Sequence, residues 1–121
     1  MGWLHRKLGD VGHRDIGPGE AENLVRDGAV VLDVREPAEW QAGHVPGAFH
    51  LPLGELEGGL AALPRDRRIV VICRSGTRSA TATALLIRSG FDAVNIGGGM
   101  QAWAAAGLPV EANDARPGAV V

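Results

Sequence analysis

The segment RIVVICRSGTRS, residues 68–79, decides the fold of this chain. Its first half is a continuous apolar run, which is typical of a strand buried on both faces of a parallel sheet. Its second half is a short polar loop that contains a glycine, and a helical pattern follows it through residues 79–89. A strand, a tight loop and a helix in this order predict one unit of a parallel α/β sheet, with Cys73 at the carboxyl end of the strand.

Strand-like and helix-like patterns alternate on both sides of this segment. They predict further strands at 29–34, around 48–51 and at 93–96, and further helices around 21–25, 56–63 and 99–106. Alternation of this kind favours parallel strands joined by crossover helices. We therefore expect an α/β fold with a parallel central sheet and helices on both faces. Several residues are predicted on the apolar faces of these helices: Val25 in the first, Ala80, Ala84 and Ile87 after the cysteine loop, and Ala104 in the last.

The bulk properties are those of one globular domain. At 121 residues, with 45% hydrophobic and 21% charged residues, the chain has room for a single core. We place the domain at 15–111 and expect residues 1–14 and 112–121 to be loosely ordered, because they show no repeated apolar face. A net charge of −2 gives no electrostatic reason to expect a nucleic-acid or membrane partner.

The cellular location is predicted from what the chain does not contain. The first 15 residues lack the apolar run of a signal peptide. No apolar stretch approaches the roughly 20 residues of a membrane helix. The single cysteine cannot form an internal disulfide, which fits a reducing compartment. We therefore expect a cytoplasmic protein.

Cys73 is the candidate nucleophile. Ligands of parallel α/β proteins bind at the carboxyl ends of the strands, where Cys73 is predicted. A short glycine-containing loop at a helix start directs its N–H groups into one concavity, and the helix dipole, Arg74 and Arg78 add positive charge. Such surroundings lower the pKa of a thiol and attract an anionic substrate. Without this loop, we would interpret the cysteine as a small apolar residue of the core.

Three groups of residues resemble motifs of the rhodanese family. CRSGTRS, residues 73–79, resembles the active-site loop of that family. The match extends in order from about residue 15 to residue 111. Its other parts resemble the first signature of the domain, in LDVRE (32–36), EW (39–40) and GHVPGA (43–48), and its end, in GGGM (97–100), AW (102–103) and AGLPV (106–110).

The resemblance implies a single rhodanese-like domain with thiosulfate sulfurtransferase activity. Cys73 would take a sulfane sulfur from a donor such as thiosulfate as a persulfide and pass it to cyanide, a thiol or a thiol protein. Neither a metal nor an organic cofactor is implied. Asp33, Arg35 and Ser79 would support the site. The residues expected to bind the substrate are Arg74, Ser75, Gly76, Thr77 and Arg78.

Two other functions are compatible with a reactive cysteine. Cysteine phosphatases and arsenate reductases also surround an anion with a thiolate and an arginine, but phosphatase loops place five residues between the two. Here four residues separate Cys73 from Arg78, which makes a tighter cup, and arsenate reduction would need a second cysteine. A persulfide carrier or interaction module that serves one protein partner stays open as the main alternative.

The roles of several polar residues near the predicted crevice stay open. Asp33 and Arg35 end the neighbouring strand, where they either contact substrate or, as we favour, pair with each other or with the loop. Trp40 either lines the rim or covers the core. His44 lies in a Gly-His-Val-Pro-Gly turn, where a structural hydrogen bond is favoured over catalysis, and the four histidines show no metal-ligand spacing. Donor, acceptor and oligomeric state are not encoded in these motifs.

Overall fold

The structure is a computed structural model that describes residues 15–113 and 116–121. The expectation for residues 1–14 lies outside these ranges. The strands are β1 (Asp15–Ile16), β2 (Val30–Asp33), β3 (Phe49–His50), β4 (Ile69–Ile72) and β5 (Ala93–Ile96). The helices are α1 (Pro18–Arg26), α2 (Pro37–Ala42), α3 (Leu56–Gly59), α4 (Thr77–Arg88) and α5 (Gly99–Ala105).

The five strands form one parallel sheet in the order β1-β5-β4-β2-β3. Strand β4 lies at the centre of this order and is buried along its whole length, as the apolar run predicts. The parallel α/β fold expected from the sequence is thereby confirmed. No helix among the residues that the structure describes is long and apolar enough to span a bilayer.

Both faces of the sheet carry a hydrophobic core, because successive side chains of a strand point to opposite faces. One core joins Val71 of β4 to α3 and α4 through Leu56 and Leu86. The other core joins Val70 to α1 and α5 through Ala21 and Met100. Helices therefore cover both faces, and loops from both layers converge on the carboxyl edge of the sheet.

The predicted face of α4 was wrong. The helix begins at Thr77 and buries Ser79, Ala82, Thr83 and Leu86, whereas Ala80, Ala84 and Ile87 are only half-buried. Two buried positions carry hydroxyl groups that an apolar pattern does not detect. They tolerate burial because each hydroxyl has a partner: Ser79 bonds to Cys73 Sγ at 3.3 Å and Thr83 to the carbonyl of Ser79 at 2.7 Å.

Three other details differ from the sequence-based expectation. Val25 and Ala104 are exposed, so the predicted inward faces of α1 and α5 were too wide. The helix predicted around 56–63 is not continuous: α3 lies between two 3₁₀ turns, with Leu56 and Leu63 buried. Strand β1 was not predicted, since two residues are too short to show an alternating pattern.

The C-terminal segment lies against the end of α2. Glu111 pairs with His44 and with Pro117, and Ala119 N–H donates to the carbonyl of Ala42 at 2.9 Å. We expected residues 112–121 to be loosely ordered, and their order in solution stays a prediction. The contacts of the described residues bring Val121 to the cysteine loop.

A candidate cysteine active site

Cys73 directly follows β4 and begins the polar loop that leads into α4. The side chain is buried, with 1% of the residue exposed. Gly76, the residue before α4, has a φ of 105°, in the left-handed region that favours glycine. A side chain there would also approach the backbone nitrogen of Gly98 to 3.0 Å. The glycine therefore lets the chain turn within four residues, 73–76, from the strand into the helix.

Hydrogen-bond donors surround the sulfur of Cys73. The N–H of Gly76 donates to Sγ at 3.1 Å, and the hydroxyl of Ser79 donates at 3.3 Å. Burial raises the pKa of the Cys73 thiol, but the Ser79 hydroxyl and the N–H groups of Ser79, Gly76 and Ser75 together lower it below its ordinary value. Neutral donors, rather than a bonded cation, thus stabilise the thiolate.

The carbonyl groups of the loop are held from outside. Met100 N–H donates to the carbonyl of Cys73 at 2.7 Å, and Gln101 N–H donates to that of Arg74 at 3.1 Å. The side chain of Asn95 donates to the carbonyl of Gly76 at 3.2 Å. Since the carbonyls are engaged on this side, the loop N–H groups are left to face the sulfur and an incoming anion.

The glycines at 97–99 make this support possible. A Cβ at Gly99 would overlap the carbonyl oxygen of Cys73 and lie 2.7 Å from the carbonyl carbon of Arg74. Gly98 and Gly99 both have positive φ values, 80° and 55°. Residues 97–99 thus make a tight turn between β5 and α5 that packs against the cysteine loop.

Both loop arginines have partners that the sequence analysis did not predict. Arg78 donates to Glu39 through Nη1 at 2.8 Å and Nη2 at 2.9 Å. Arg74 is exposed, and its Nε donates to the main-chain carbonyl of Val121 at 2.9 Å. The two guanidinium groups therefore differ in their partners: that of Arg78 faces a side-chain carboxylate, and that of Arg74 a main-chain oxygen.

Asp33 and Arg35 form a buried ion pair at the end of β2. Both side chains are fully buried, and Arg35 Nη2 lies 2.7 Å from Asp33 Oδ2. The same nitrogen donates to the carbonyl of Gly43 at 2.7 Å, and Arg35 N–H donates to Asp33 Oδ1 at 3.0 Å. The pair that we favoured is present, and it ties the end of β2 to the loop after α2.

Trp40 lies between two histidines. Its ring stacks on His44 at 3.6 Å and on His50 at 4.7 Å between centroids. His44 Nδ1 contacts the carbonyl of Trp40 at 2.8 Å, and His50 Nε2 contacts that of Arg35 at 2.8 Å. These contacts agree with the structural hydrogen bond that we favoured for His44, and they make Trp40 part of a stacked layer.

Sequence reasoning missed two polar residues that support the loop. Glu39 was named only as part of the EW motif, and the capping box that it forms with Glu36 is a signal of a helix start rather than of an ion pair. Asn95 lies in the buried strand β5, where a polar residue among apolar ones is the one available signal. Of the predicted substrate-binding side chains, Ser75 and Thr77 are exposed at the mouth of the loop.

Comparisons with known proteins place the chain in one family. The family model of the rhodanese-like domain matches residues 17–106. A sulfurtransferase of Allochromatium vinosum is 42% identical over 84 residues, which cover 69% of this chain and 78% of that protein. The thiosulfate sulfurtransferase GlpE of Pseudomonas aeruginosa is 35% identical over 89 residues, covering 73% of this chain and 81% of GlpE. The crystal structure of a rhodanese-related protein of Thermoplasma volcanium has a TM-score of 0.76 and 36% identity, covering 81% of this chain and 97% of that one.

Proposed function

Since the chain belongs to the rhodanese-like domain family, whose named relatives are sulfurtransferases, we propose that it carries sulfane sulfur on Cys73 as a persulfide. The proposed donor is an anionic compound such as thiosulfate, and the acceptor is cyanide, a small thiol or a thiol protein. The observation that carries the proposal is the position of Cys73 Sγ, which accepts hydrogen bonds from Gly76 N–H and the Ser79 hydroxyl.

In the first half-reaction the Cys73 thiolate attacks the outer sulfur of thiosulfate. A bond forms between the two sulfur atoms, the sulfur–sulfur bond of thiosulfate breaks, and sulfite leaves with the electron pair. The negative charge moves from Sγ to the terminal sulfur of the persulfide. The loop N–H groups are the donors proposed to stabilise it there, with Arg74 and Arg78 orienting the donor.

In the second half-reaction the acceptor attacks the terminal sulfur, and the Cys73 thiolate leaves. Cyanide becomes thiocyanate, and a thiolate becomes a persulfide. Charge returns to Sγ, where Ser79 and Gly76 N–H already donate at 3.3 and 3.1 Å. A lower pKa of the leaving thiol speeds this step, so the surroundings that ionise Cys73 also favour release of the sulfur.

The test is the mass of the intact protein after brief incubation with thiosulfate, for the wild type and for Cys73→Ser. A gain of one sulfur atom that requires Cys73 and disappears on adding cyanide is the expected result. A persulfide that forms but leaves only to a protein thiol would favour the carrier function. No adduct, with Cys73 still alkylated at neutral pH, would contradict thiosulfate as donor and favour a phosphatase-like activity.

The cytoplasm is the proposed location, because acceptor thiols are kept reduced there and the single cysteine has no disulfide partner within the chain. Fractionation of cells that express a tagged protein tests this proposal.

A further inference from the structure

Glu39 binds Arg78 through both carboxylate oxygens. Oε1 accepts from Arg78 Nη1 at 2.8 Å and from the N–H of Glu36 at 2.9 Å, and Oε2 accepts from Arg78 Nη2 at 2.9 Å. The carboxylate of Glu39 is therefore fixed by its own helix as well as by the arginine. The side chains are 19% exposed for Glu39 and 35% for Arg78, so water screens the pair only in part.

Both partners keep their charges under ordinary conditions. The hydrogen bond from Arg78 is the main cause that lowers the pKa of Glu39 to about 2, against an opposing effect of burial. The same pair raises the pKa of Arg78. The net charge of the pair is thus zero wherever the Cys73 thiolate can form.

Arg78 is close enough to the nucleophile for its charge to matter. It lies between Gly76 and Ser79, which both donate to Cys73 Sγ, at 3.1 and 3.3 Å. The charge of Cys73 also raises the pKa of Arg78. An unpaired arginine at this position would attract a dianion more strongly than a monoanion. Arg74 is a second, exposed cation of the same loop, so anionic donors are not excluded.

We propose that Glu39 is a specificity-determining residue that acts through Arg78, favouring sulfur donors whose reacting end carries one negative charge over dianionic thiosulfate. Donors of the favoured class are persulfides and thiosulfonates. With a persulfide R–S–S⁻, the Cys73 thiolate attacks the outer sulfur, the S–S bond of the donor breaks, and the thiolate RS⁻ leaves with the electron pair. This inference rests on the proposed function and names the donor class for the same site.

Thiosulfate and the methanethiosulfonate anion make a matched pair of probes. Both present an outer sulfane sulfur on an oxidised sulfur, and a methyl group replaces one charged oxygen in the second. In ping-pong kinetics kcat/KM for a donor reports the donor half-reaction alone, so the ratio of the two values is independent of the acceptor. Hydrogen bonds that both donors share also cancel in this ratio.

Glu39→Gln is the informative variant. Glutamine keeps the shape and one oxygen that can accept from Arg78 and Glu36, and it removes only the charge. We expect the ratio of kcat/KM for thiosulfate to that for methanethiosulfonate to rise about three- to tenfold, mainly through a lower KM for thiosulfate. Glu57→Gln is the control, because it also removes one negative charge, from an exposed position on α3, and its effect on the ratio should be much smaller.

The double variant Glu39→Gln/Arg78→Gln tests the inference even where the single variant folds poorly. It replaces a neutral pair by two neutral residues and leaves no unpaired buried charge. We expect kcat/KM to fall for both donors because the guanidinium is lost, with a ratio within about twofold of the wild type. A double variant that loses thiosulfate selectively would contradict the inference.

The remaining outcomes are also decisive. An unchanged or lower ratio in Glu39→Gln, with Cys73 persulfide still formed, would overturn the role of Glu39 and leave the proposed function intact. A lower ratio would mean that Glu39 positions Arg78 to bind the sulfonate oxygens. No persulfide from either donor in the wild type would overturn the proposed function and this inference with it.

Discussion

Asp33–Arg35 and Glu39–Arg78 are two arginine–carboxylate pairs at the same edge of the sheet, at different depths. The first is fully buried and also binds backbone groups at both ends. The second is partly exposed and joins α2 to the first turn of α4. A buried pair cannot lose a partner without leaving a charge in the protein interior, whereas water can solvate a partly exposed group. We therefore infer that the deep pair, Asp33–Arg35, stabilises the fold. The shallow pair, Glu39–Arg78, sets the charge next to the active-site cysteine.

The largest effect is expected from the deep pair. Asp33→Asn leaves Arg35 charged and buried, so we expect a loss of about 3–5 kcal/mol in the free energy of unfolding. Urea denaturation measures it. Asp92→Asn is the control, since Asp92 pairs with Arg68 at side-chain exposures of 59% and 39%, and it should cost less than about 1 kcal/mol. An equal loss of unfolding free energy in Asp33→Asn and Asp92→Asn would mean that the depth of an ion pair does not decide its contribution to stability.

The next effect concerns the backbone that supports the cysteine loop. Gly99→Ala would place a Cβ against the carbonyl of Cys73, so we expect a loss of about 2 kcal/mol or more and slower persulfide formation. Thermal unfolding and the mass test measure the two quantities. Gly107 also has a positive φ, 79°, but a Cβ there would meet nothing within 4 Å. Gly107→Ala should therefore lose only the free energy of the strained backbone, about 1 kcal/mol. A Gly99 variant no worse than this control would mean that the contact with Cys73 is easily displaced.

Ser79 offers a neutral contact to compare with the charged pair. If Glu39 offsets the charge of Arg78, the acidity of Cys73 depends chiefly on the Ser79 hydroxyl and the loop N–H groups. We expect Ser79→Ala to raise the pKa of Cys73 more than Glu39→Gln/Arg78→Gln does. The rate of alkylation by iodoacetamide as a function of pH measures it.

Thr83→Val is the matched control for Ser79→Ala. It removes the hydroxyl one turn further along α4, which donates to the carbonyl of Ser79 and not to the sulfur. Its alkylation profile should follow that of the wild type. A larger shift in the Glu39/Arg78 double variant than in Ser79→Ala would show that the ion pair contributes more to thiolate stability than the hydroxyl.

The sequence allowed the central features of the fold to be predicted, because they depend on local patterns. The apolar runs at 29–34 and 68–73 predict buried parallel strands, and Cys73 is assigned to the loop edge by its position after the second run. The pairing of Asp33 with Arg35 was also expected. These residues are two apart on one strand end, so short-range geometry suffices to bring them together.

The missed features depend on contacts between distant parts of the chain. Glu39 and Arg78 are 39 positions apart, and Asn95 contacts Gly76 across 19 positions. Neither contact can be predicted from a pattern of apolar residues along the chain. The face of α4 was wrong for a related reason, since Ser79 and Thr83 are buried by hydrogen bonds that exist only once the loop has formed.

The smallest effect on stability is expected from the shallow pair. Glu39→Gln should lower the free energy of unfolding by about 1–2 kcal/mol, less than Asp33→Asn does, because the pair is partly solvated. The pKa of Glu39 is lowered from 4.5 to about 2 in the folded protein, chiefly by its hydrogen bond to Arg78. The native state therefore binds fewer protons than the unfolded state between these values, and the contribution of the pair is complete above about pH 4.5 and lost as the pH falls towards 2.

Urea denaturation at several pH values should show the difference in unfolding free energy between the wild type and Glu39→Gln shrinking between pH 4.5 and 2. The control variant Glu57→Gln, at an exposed position, should show no such change. A difference that persists at pH 2 would mean that Glu39 stabilises the fold by its shape and its bond to Glu36, and the two pairs would then differ less than their depths indicate.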